Sequence, residues 1–368
     1  MHLQIKIGFV LLSKVAAPIP STRIAVLNMC PYLRAAQFDP HVVFEPDQNT
    51  ETPDVSGLAP KLKAQGFQII YFQKVHGASV LALAHELRAL GIKTVFGVCD
   101  LIDKEMAAAT DATIAVTEYL KSLYPPEFQH KIFIVHDGIE QAALHKTDWG
   151  LHTGSRRHPI RAVLVTSVDL ARLPVLIRPP IWLQVTIVGR YPPKSNKLQR
   201  LREARWQFAR MQSWRERWQF LQFLFNPRIE RVAWDAVGVY DEMKRADIGI
   251  IPIETKSSNG ALTGWRVKSE NRLTMKMAMG LPVVATPIPA YEPVVQCANN
   301  AYLATSREDW LRYLNELRSP LRRQQIGCAA RQSVLHRFSM QEQARLLIDV
   351  LKGLLTQGGA TNAEQLPK

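Results

Sequence analysis

Lys268 and Arg272 stand four residues apart in the run Val267-Lys268-Ser269-Glu270-Asn271-Arg272-Leu273. That spacing is about one helical turn, so it sets both cations on one side of a helix start. Ser269 is a good N-cap, with Glu270 and Asn271 in the first turn. A helix start offers backbone N–H groups without intrahelical partners, and two cations beside them suit a phosphate. The same pair would also serve as solvated charges. Asp100 closes the run Thr94-Val95-Phe96-Gly97-Val98. At the C-terminal edge of a parallel strand an acid can orient a hydroxyl or accept its proton. Followed by Leu101-Ile102-Asp103, it equally suits a helix cap. His76, just past the apolar run 68–72, and Arg23, in the first turn after a possible N-cap at Ser21, are further candidates on a ligand-facing edge. Arg23 suits an anionic ligand. His136 better suits packing or a hinge.

These residues need elements to hold them. Leu273, Met277 and Ala278 give the helix an apolar face, and Gly280 falls where a C′ residue belongs. Pro282 follows, then Val283 to Ala285 read as a short buried strand. Its C-terminal edge carries Thr286-Pro287-Ile288-Pro289-Ala290-Tyr291-Glu292, whose hydroxyl and amides suit hydrogen bonding. Runs at 5–12, 41–45, 67–72, 93–98, 112–116 and 131–135 are β-rich, with helix-like segments such as 78–90 and 101–109 between them. A second series runs through Arg161–Thr166, Trp182–Val188, Arg231–Trp234, Ile248–Pro252 and Val283–Ala285. Alternation of this kind predicts two doubly wound parallel sheets in an α/β chain. The expected domains are 1–140 and 160–338, with a polar linker at 141–159, closing helices from 307 onward and a last helix and tail at 339–368.

The helix-Gly-Pro-strand unit Lys276-Met277-Ala278-Met279-Gly280-Leu281-Pro282-Val283-Val284-Ala285 resembles the nucleotide-sugar-binding unit of GT-B glycosyltransferases, family 4 in particular. The upstream run from Val239 to Pro252, with Ala246-Asp247 before its strand, resembles the preceding unit of that family. The resemblance covers about residues 230–355, with a weaker echo at 92–140. It implies a GT-B fold, with two Rossmann-like domains facing a cleft and the last helix crossing back to the first domain. It also implies sugar transfer from a nucleotide-sugar donor to a glycan, a lipid-linked carbohydrate or another acceptor, retaining and metal-independent, with no cofactor. In that frame Asp100, Lys268 and Arg272 are the catalytic candidates, and Ser269, Glu270, Asn271, Thr286, Pro287 and Arg190 belong to the donor site. Arg23 and His76 fall on the acceptor side. Two features depart from the family pattern. Val267 and Met275 occupy positions where the family carries a pair of Glu, and a Gly-Arg…Lys pair after the first strand of the second domain is missing. Arg172, Arg178 and Arg190 are the available replacements. The rival readings are a nucleotide-sugar 2-epimerase of the same architecture and a degenerate GT-B binding protein.

The 368 residues carry 46 Lys and Arg against 32 Asp and Glu, a net charge of +14 that asks for an anionic partner: a nucleotide diphosphate, an acidic membrane surface or nucleic acid. No nucleic-acid recognition motif accompanies the charge. Four scattered cysteines, without CxxC spacing, argue against a disulfide framework or zinc site and fit a reducing compartment. No DxD, HExxH or GxxxxGK[ST] motif occurs, so no metal site or P-loop is expected. The expected location is the cytoplasm, including the inner face of the membrane. Residues 197–225 read as one long inserted helix rich in Arg, Trp and Phe. Leu201, Ala204, Phe208, Met211, Trp214, Trp218, Leu221 and Phe225 share a face. Such a stripe packs against its own domain or a second subunit, or enters a bilayer interface, where Arg and Trp are at home.

Overall fold

The computed structural model describes residues 4–167, 170, 172–191, 202, 205–209, 211, 213–254 and 264–360. The chain forms two compact units. One takes the chain up to Glu140, with Val267–Asn271 and the chain from Arg337 on; the other takes Gln141–Arg266 and Arg272–His336.

The first unit is built on a six-stranded sheet of order β2-β1-β3-β4-β5-β6, all parallel. Its strands are β1 (Ile5–Val10), β2 (Phe38–Phe44), β3 (Ile69–Gln73), β4 (Lys93–Val98), β5 (Ala112–Ala115) and β6 (Ile132–Ile134). Side chains alternate across a strand, and β3 shows what that does here. Ile70 and Phe72 enter the apolar layer under the helix Ala78–Ala89, while Ile69 and Tyr71 enter the opposite one. Both faces are therefore buried, as a parallel sheet requires, at about 1.5–3 kcal/mol per large side chain. Met340, Ala344, Leu347, Leu351 and Leu354 complete the second layer. They share one face of the last helix, Met340–Ala360, so the C-terminal helix belongs to the first unit's core.

The second unit repeats the scheme with order β12-β11-β10-β7-β8-β9. Here β7 is Ile160–Val165, β8 Leu183–Gly189, β9 Ile229–Ala233, β10 Ile248–Ile251, β11 Val283–Ala285 and β12 Tyr302–Leu303. Strand order reverses between β7 and β10, the position where α/β sheets open a crevice for ligands. Gly280, at φ 77, takes the left-handed C′ position after the helix Asn271–Ala278 and turns the chain into β11.

Several sequence expectations need correction. The segment 141–159 is not a free linker. Trp149 Nε1 donates to the Gly280 carbonyl at 2.8 Å, and Arg323 donates to the carbonyls of Trp149, Gly150 and His152 at 2.9–3.0 Å, so the segment is fastened to the second unit. The insertion is not one continuous helix. A new helix, Trp214–Leu224, starts at Ser213 with a full capping box to Glu216, separate from the helical residues 205–209. Leu201 and Ala204 of that expected stripe lie outside the described residues. Ser21 does not cap its helix, which begins at Pro20 with Ile19 at the N-cap. The two-residue strand β12 was not expected at all.

Candidate functional site

In the first unit, the C-terminal ends of β3 and β4 carry a charge cluster. Lys74 leaves β3 with φ 58, uncommon for a residue with a side chain, held by its N–H to the Gly97 carbonyl at 2.9 Å. Its ammonium lies 2.6 Å from Glu51 Oε1 and 2.6 Å from Asp100 Oδ1. Lys268 pairs with the other Asp100 oxygen, Oδ2. Burial alone would raise the Asp100 carboxyl, but the hydrogen bonds from Lys268 and Lys74 outweigh it and hold the group at about 2. A carboxylate held that low is a weak proton acceptor at neutral pH. Asp100 instead fixes Lys268, whose side chain stays partly open to solvent. The capping role goes to Asp103, whose Oδ1 accepts from Met106 N at 2.8 Å at the start of the helix Lys104–Ala109. His76 sits nearby, its Nδ1 3.4 Å from Asp103 Oδ2.

The segment Val267–Asn271 adds a second group to the same unit. Val267 packs on the apolar layer beneath the sheet. Ser269 does not cap the helix, which begins at Asn271; its hydroxyl donates to Asp137 Oδ2 at 2.6 Å. Burial pushes the Asp137 carboxyl up to about 6, against the Ser269 hydrogen bond and with help from the Glu270 charge. Glu270 is 1% exposed and faces His136, whose Nδ1 is 2.7 Å from Oε1 and 2.9 Å from the Val116 carbonyl. Both neighbours are acceptors, so Nδ1 carries the hydrogen. The better-aligned partner is Val116, and the Glu270 oxygens are left with an electrostatic contact and no aligned hydrogen bond. Beside this cluster, Tyr71, Lys74, Cys99, His136 and Asp137 help to line a cavity of about 30 Å³, room for a water.

The second unit presents a different arrangement. Arg272 donates from Nη2 to Ser167 Oγ at 3.0 Å, just past β7, and stacks on Trp265 with the guanidinium carbon 4.5 Å from the ring centre. Lys276 is 0% exposed. Its side chain crosses β10 at Gly249, where a Cβ would come within 2.9 Å of Lys276 Cδ; only glycine leaves that path open. Side chains on a helix lean toward its N-terminus, and the ammonium duly reaches back to the Arg272 carbonyl at 3.1 Å. Burial lowers its pKa to about 7, and Arg272 adds to the shift. Among the described residues no carboxylate pairs with it. Thr286, at the end of β11, is buried, its Oγ1 accepting from Ile253 N at 3.0 Å.

Residues 21–144 match the sequence profile of the glycosyl transferase family 4 group. Over nearly the whole chain, the backbone superposes on solved structures, a glycosyltransferase among them. The glycosyltransferase, from Rickettsia africae, has 13% identity and a TM-score of 0.64, covering 96% of this chain and 99% of its own. HepE from Anabaena, solved with UDP and glucose, has 14% identity and a TM-score of 0.65, covering 95% of this chain and 100% of its own. The chain has the GT-B fold, and its residues 21–144 are similar to the glycosyl transferase family 4 group. TarM from S. aureus shares the fold at a TM-score of 0.53 and 10% identity, over 79% of this chain and 57% of its own. No curated protein matches the sequence.

Against that fold, the candidate residues divide in two. Asp100, Lys268, His76, Ser269 and Glu270 meet in the first unit, at and beside the C-terminal edge of its sheet. Arg272, Thr286, Pro287 and Arg190 lie in the second unit, where Arg190 is exposed just past β8. Asn271 is the residue at which the chain passes between units. Arg23, expected to meet an anionic ligand, is held by Glu140 in a two-pronged pair at 2.6 and 2.9 Å. Of the possible replacement cations, Arg172 pairs with Glu254 at 2.6 Å and Arg178 donates to Gln222 at 3.2 Å. Met275, at the family's second Glu position, packs into an apolar cluster, so no carboxylate stands there. Sequence reasoning missed Lys74, Asp137 and Lys276. A lysine at an otherwise apolar helical position opposite a strand glycine was the available signal for Lys276.

Proposed function

We propose that this protein is a glycosyltransferase that moves a sugar from a nucleotide-diphosphate sugar to a carbohydrate or lipid-linked acceptor. The observation that carries the reading is the concentration of positive charge at the start of the helix Asn271–Ala278. Arg272 is on its first turn and Lys276 is buried behind it, both in the second unit; Lys268, four residues before Arg272 in sequence, belongs to the first. Fixed cations stabilise the diphosphate as it leaves with the nucleotide, and in a partly dry site they do so far better than in water. Retention of configuration and independence from metal ions and cofactors are part of the proposal. HepE was solved with UDP and with UDP-glucose, which makes uridine diphosphate sugars the first donors to try. The enzyme would work in the cytoplasm, at the inner face of the membrane.

In this scheme Arg272 is the diphosphate contact in the second unit, where Thr286 and Pro287 border the sugar, and Lys268, positioned by Asp100, is the candidate contact in the first. One observation favours a second reading, a 2-epimerase: the Asp137 carboxyl, at about 6, is suited to proton transfer. The test is a panel of nucleotide-sugars incubated with the enzyme, with and without acceptor extracts. The proposal expects slow hydrolysis alone and faster donor consumption with acceptor, with the sugar recovered on the acceptor. Free epimerised nucleotide-sugar would establish the second reading, and no turnover of any donor would refute both.

A further inference from the structure

The helix Trp214–Leu224 has two apolar faces, and the unit covers one. Phe220, Phe223 and Leu224 are buried in the second unit's core, and Phe208 packs edge-on against Phe220 with ring centres 6.0 Å apart. On the other side Trp214 is 73% exposed, Trp218 52% and Phe225 60%. Positions 214, 218 and 225 follow helical spacing, so these rings form one stripe along the helix. Half or more of each side chain is open to solvent, and together they make a contiguous apolar patch of the kind that marks an interaction surface.

The chemistry around the stripe selects what covers it. Arg205, Arg215 and Arg178 are exposed, and Arg178 is tied by its Nε to Gln222 on the same helix. The acid within the helix, Glu216, is engaged in the capping box at Ser213. The surface is thus aromatic along its crest and basic at its margin, on a chain of net charge +14. Tryptophan has an apolar body with a polar N–H, and arginine a long apolar stem with a charged head. Both meet their needs at once where acyl chains give way to anionic headgroups. A protein partner of matching shape would need an acidic apolar groove; an anionic bilayer supplies both properties without one.

We infer that the Trp214–Trp218–Phe225 face is a membrane-docking surface that inserts its rings into the headgroup region of an anionic bilayer. The inference deepens the peripheral placement proposed above and rests on it for its biological sense, though not for its test. The basic margin draws the protein to the surface over roughly 10 Å at moderate salt, and the rings hold it there.

The experiment is co-sedimentation of the full chain with vesicles of phosphatidylcholine alone or with 30% phosphatidylserine, with tryptophan emission and nucleotide-sugar hydrolysis followed in parallel. Wild type should bind the anionic vesicles with a blue-shifted emission, lose most binding as salt rises from ~0.1 to ~0.5 M, and bind neutral vesicles at least tenfold more weakly. The triple variant Trp214→Ser/Trp218→Ser/Phe225→Ser should lose at least tenfold in vesicle affinity while hydrolysing donor at the wild-type rate. Equal binding by wild type and triple variant would overturn the inference. So would a wild-type dimer in size-exclusion chromatography that the triple variant dissolves, because the stripe would then be a subunit interface. Loss of hydrolysis by wild type itself would strike the enzymatic reading and leave the vesicle result to be judged alone.

Discussion

The lysines at the two sheet edges are treated in opposite ways. In the first unit Lys74 and Lys268 share the Asp100 carboxylate, and Lys74 takes Glu51 as well. In the second, Lys276 is buried with a backbone carbonyl as its partner and, among the described residues, no carboxylate, and a glycine on the neighbouring strand makes way for it. Lys74, matched to two carboxylates, is an anchor whose geometry is fixed and whose charge is largely neutralised, whereas Lys268 shares only one of them and stays partly open to solvent. A buried cation without a carboxylate is a standing energetic cost, because removing a charge from water is compensated only by good pairing. The difference teaches where an anionic ligand is awaited. Substitutions at the two edges should therefore have opposite signs.

The largest effect is expected at Asp100. Asp100→Asn strips the shared charge from two lysines, and breaking one side of a largely buried pair is costly. Stability at pH 7 should fall by about 3 kcal/mol in urea titrations. Because the Asp100 carboxyl is held at about 2, its contribution is present above pH 4 and lost toward pH 2. The gap between variant and wild type should close over that window; a gap that stays constant with pH would mean the carboxylate charge is not the cause.

Lys276→Met should go the other way, stabilising by about 2 kcal/mol at pH 6 by removing an unmatched buried charge of similar volume. Its pKa of about 7 lies below the unfolded value, so the unfolded chain binds more protons between about 7 and 10, and wild-type stability should rise with pH there. The variant should lack that rise. Destabilisation at pH 6 would break the contrast between the two edges. Asp137→Asn is expected to be milder. Its raised carboxyl favours the protonated form, so wild type loses stability as pH climbs through 6, and the variant should gain about 1 kcal/mol at pH 8 and nothing at pH 4. The smallest effect belongs to the exposed aromatic stripe: Trp214→Ser should leave stability within about 0.5 kcal/mol, as surface changes usually do. A larger loss in the monomer would mean the ring packs against its own chain.

Local pattern carried most of the fold. Strand-helix alternation, Gly280 as a C′ residue and the Pro282 stop are signals within a few residues of one another, and they place β11 where it is found. Contacts between distant positions were not legible. Arg23 and Glu140 are 117 residues apart, and Lys268 and Asp100 are 168 apart; nothing near either residue announces its partner. The attachment of Val267–Asn271 to the first unit is a fact of this kind, and it diverts Ser269 from capping a helix to holding Asp137. Lys276 was missed for another reason. Charged residues in helices are read as solvent-facing, and only the Gly249 notch shows that this one is not. The break in the insertion at Ser213 was written in Ser213 and Glu216 as a capping box, but the aromatic periodicity running through it masked the signal.

The central claim is that the positive charge beside and within the start of the helix Asn271–Ala278 binds the donor diphosphate. It is tested most directly by calorimetric titration of UDP, with GDP and ADP as alternatives, into wild type and Lys268→Ala/Arg272→Ala. Two charge-assisted contacts at about 1.5–3 kcal/mol each should be lost, so the account predicts that the nucleotide bound by wild type binds the double variant at least a hundredfold more weakly, with the fold intact by circular dichroism. Equal affinity of the two proteins for that nucleotide would contradict it.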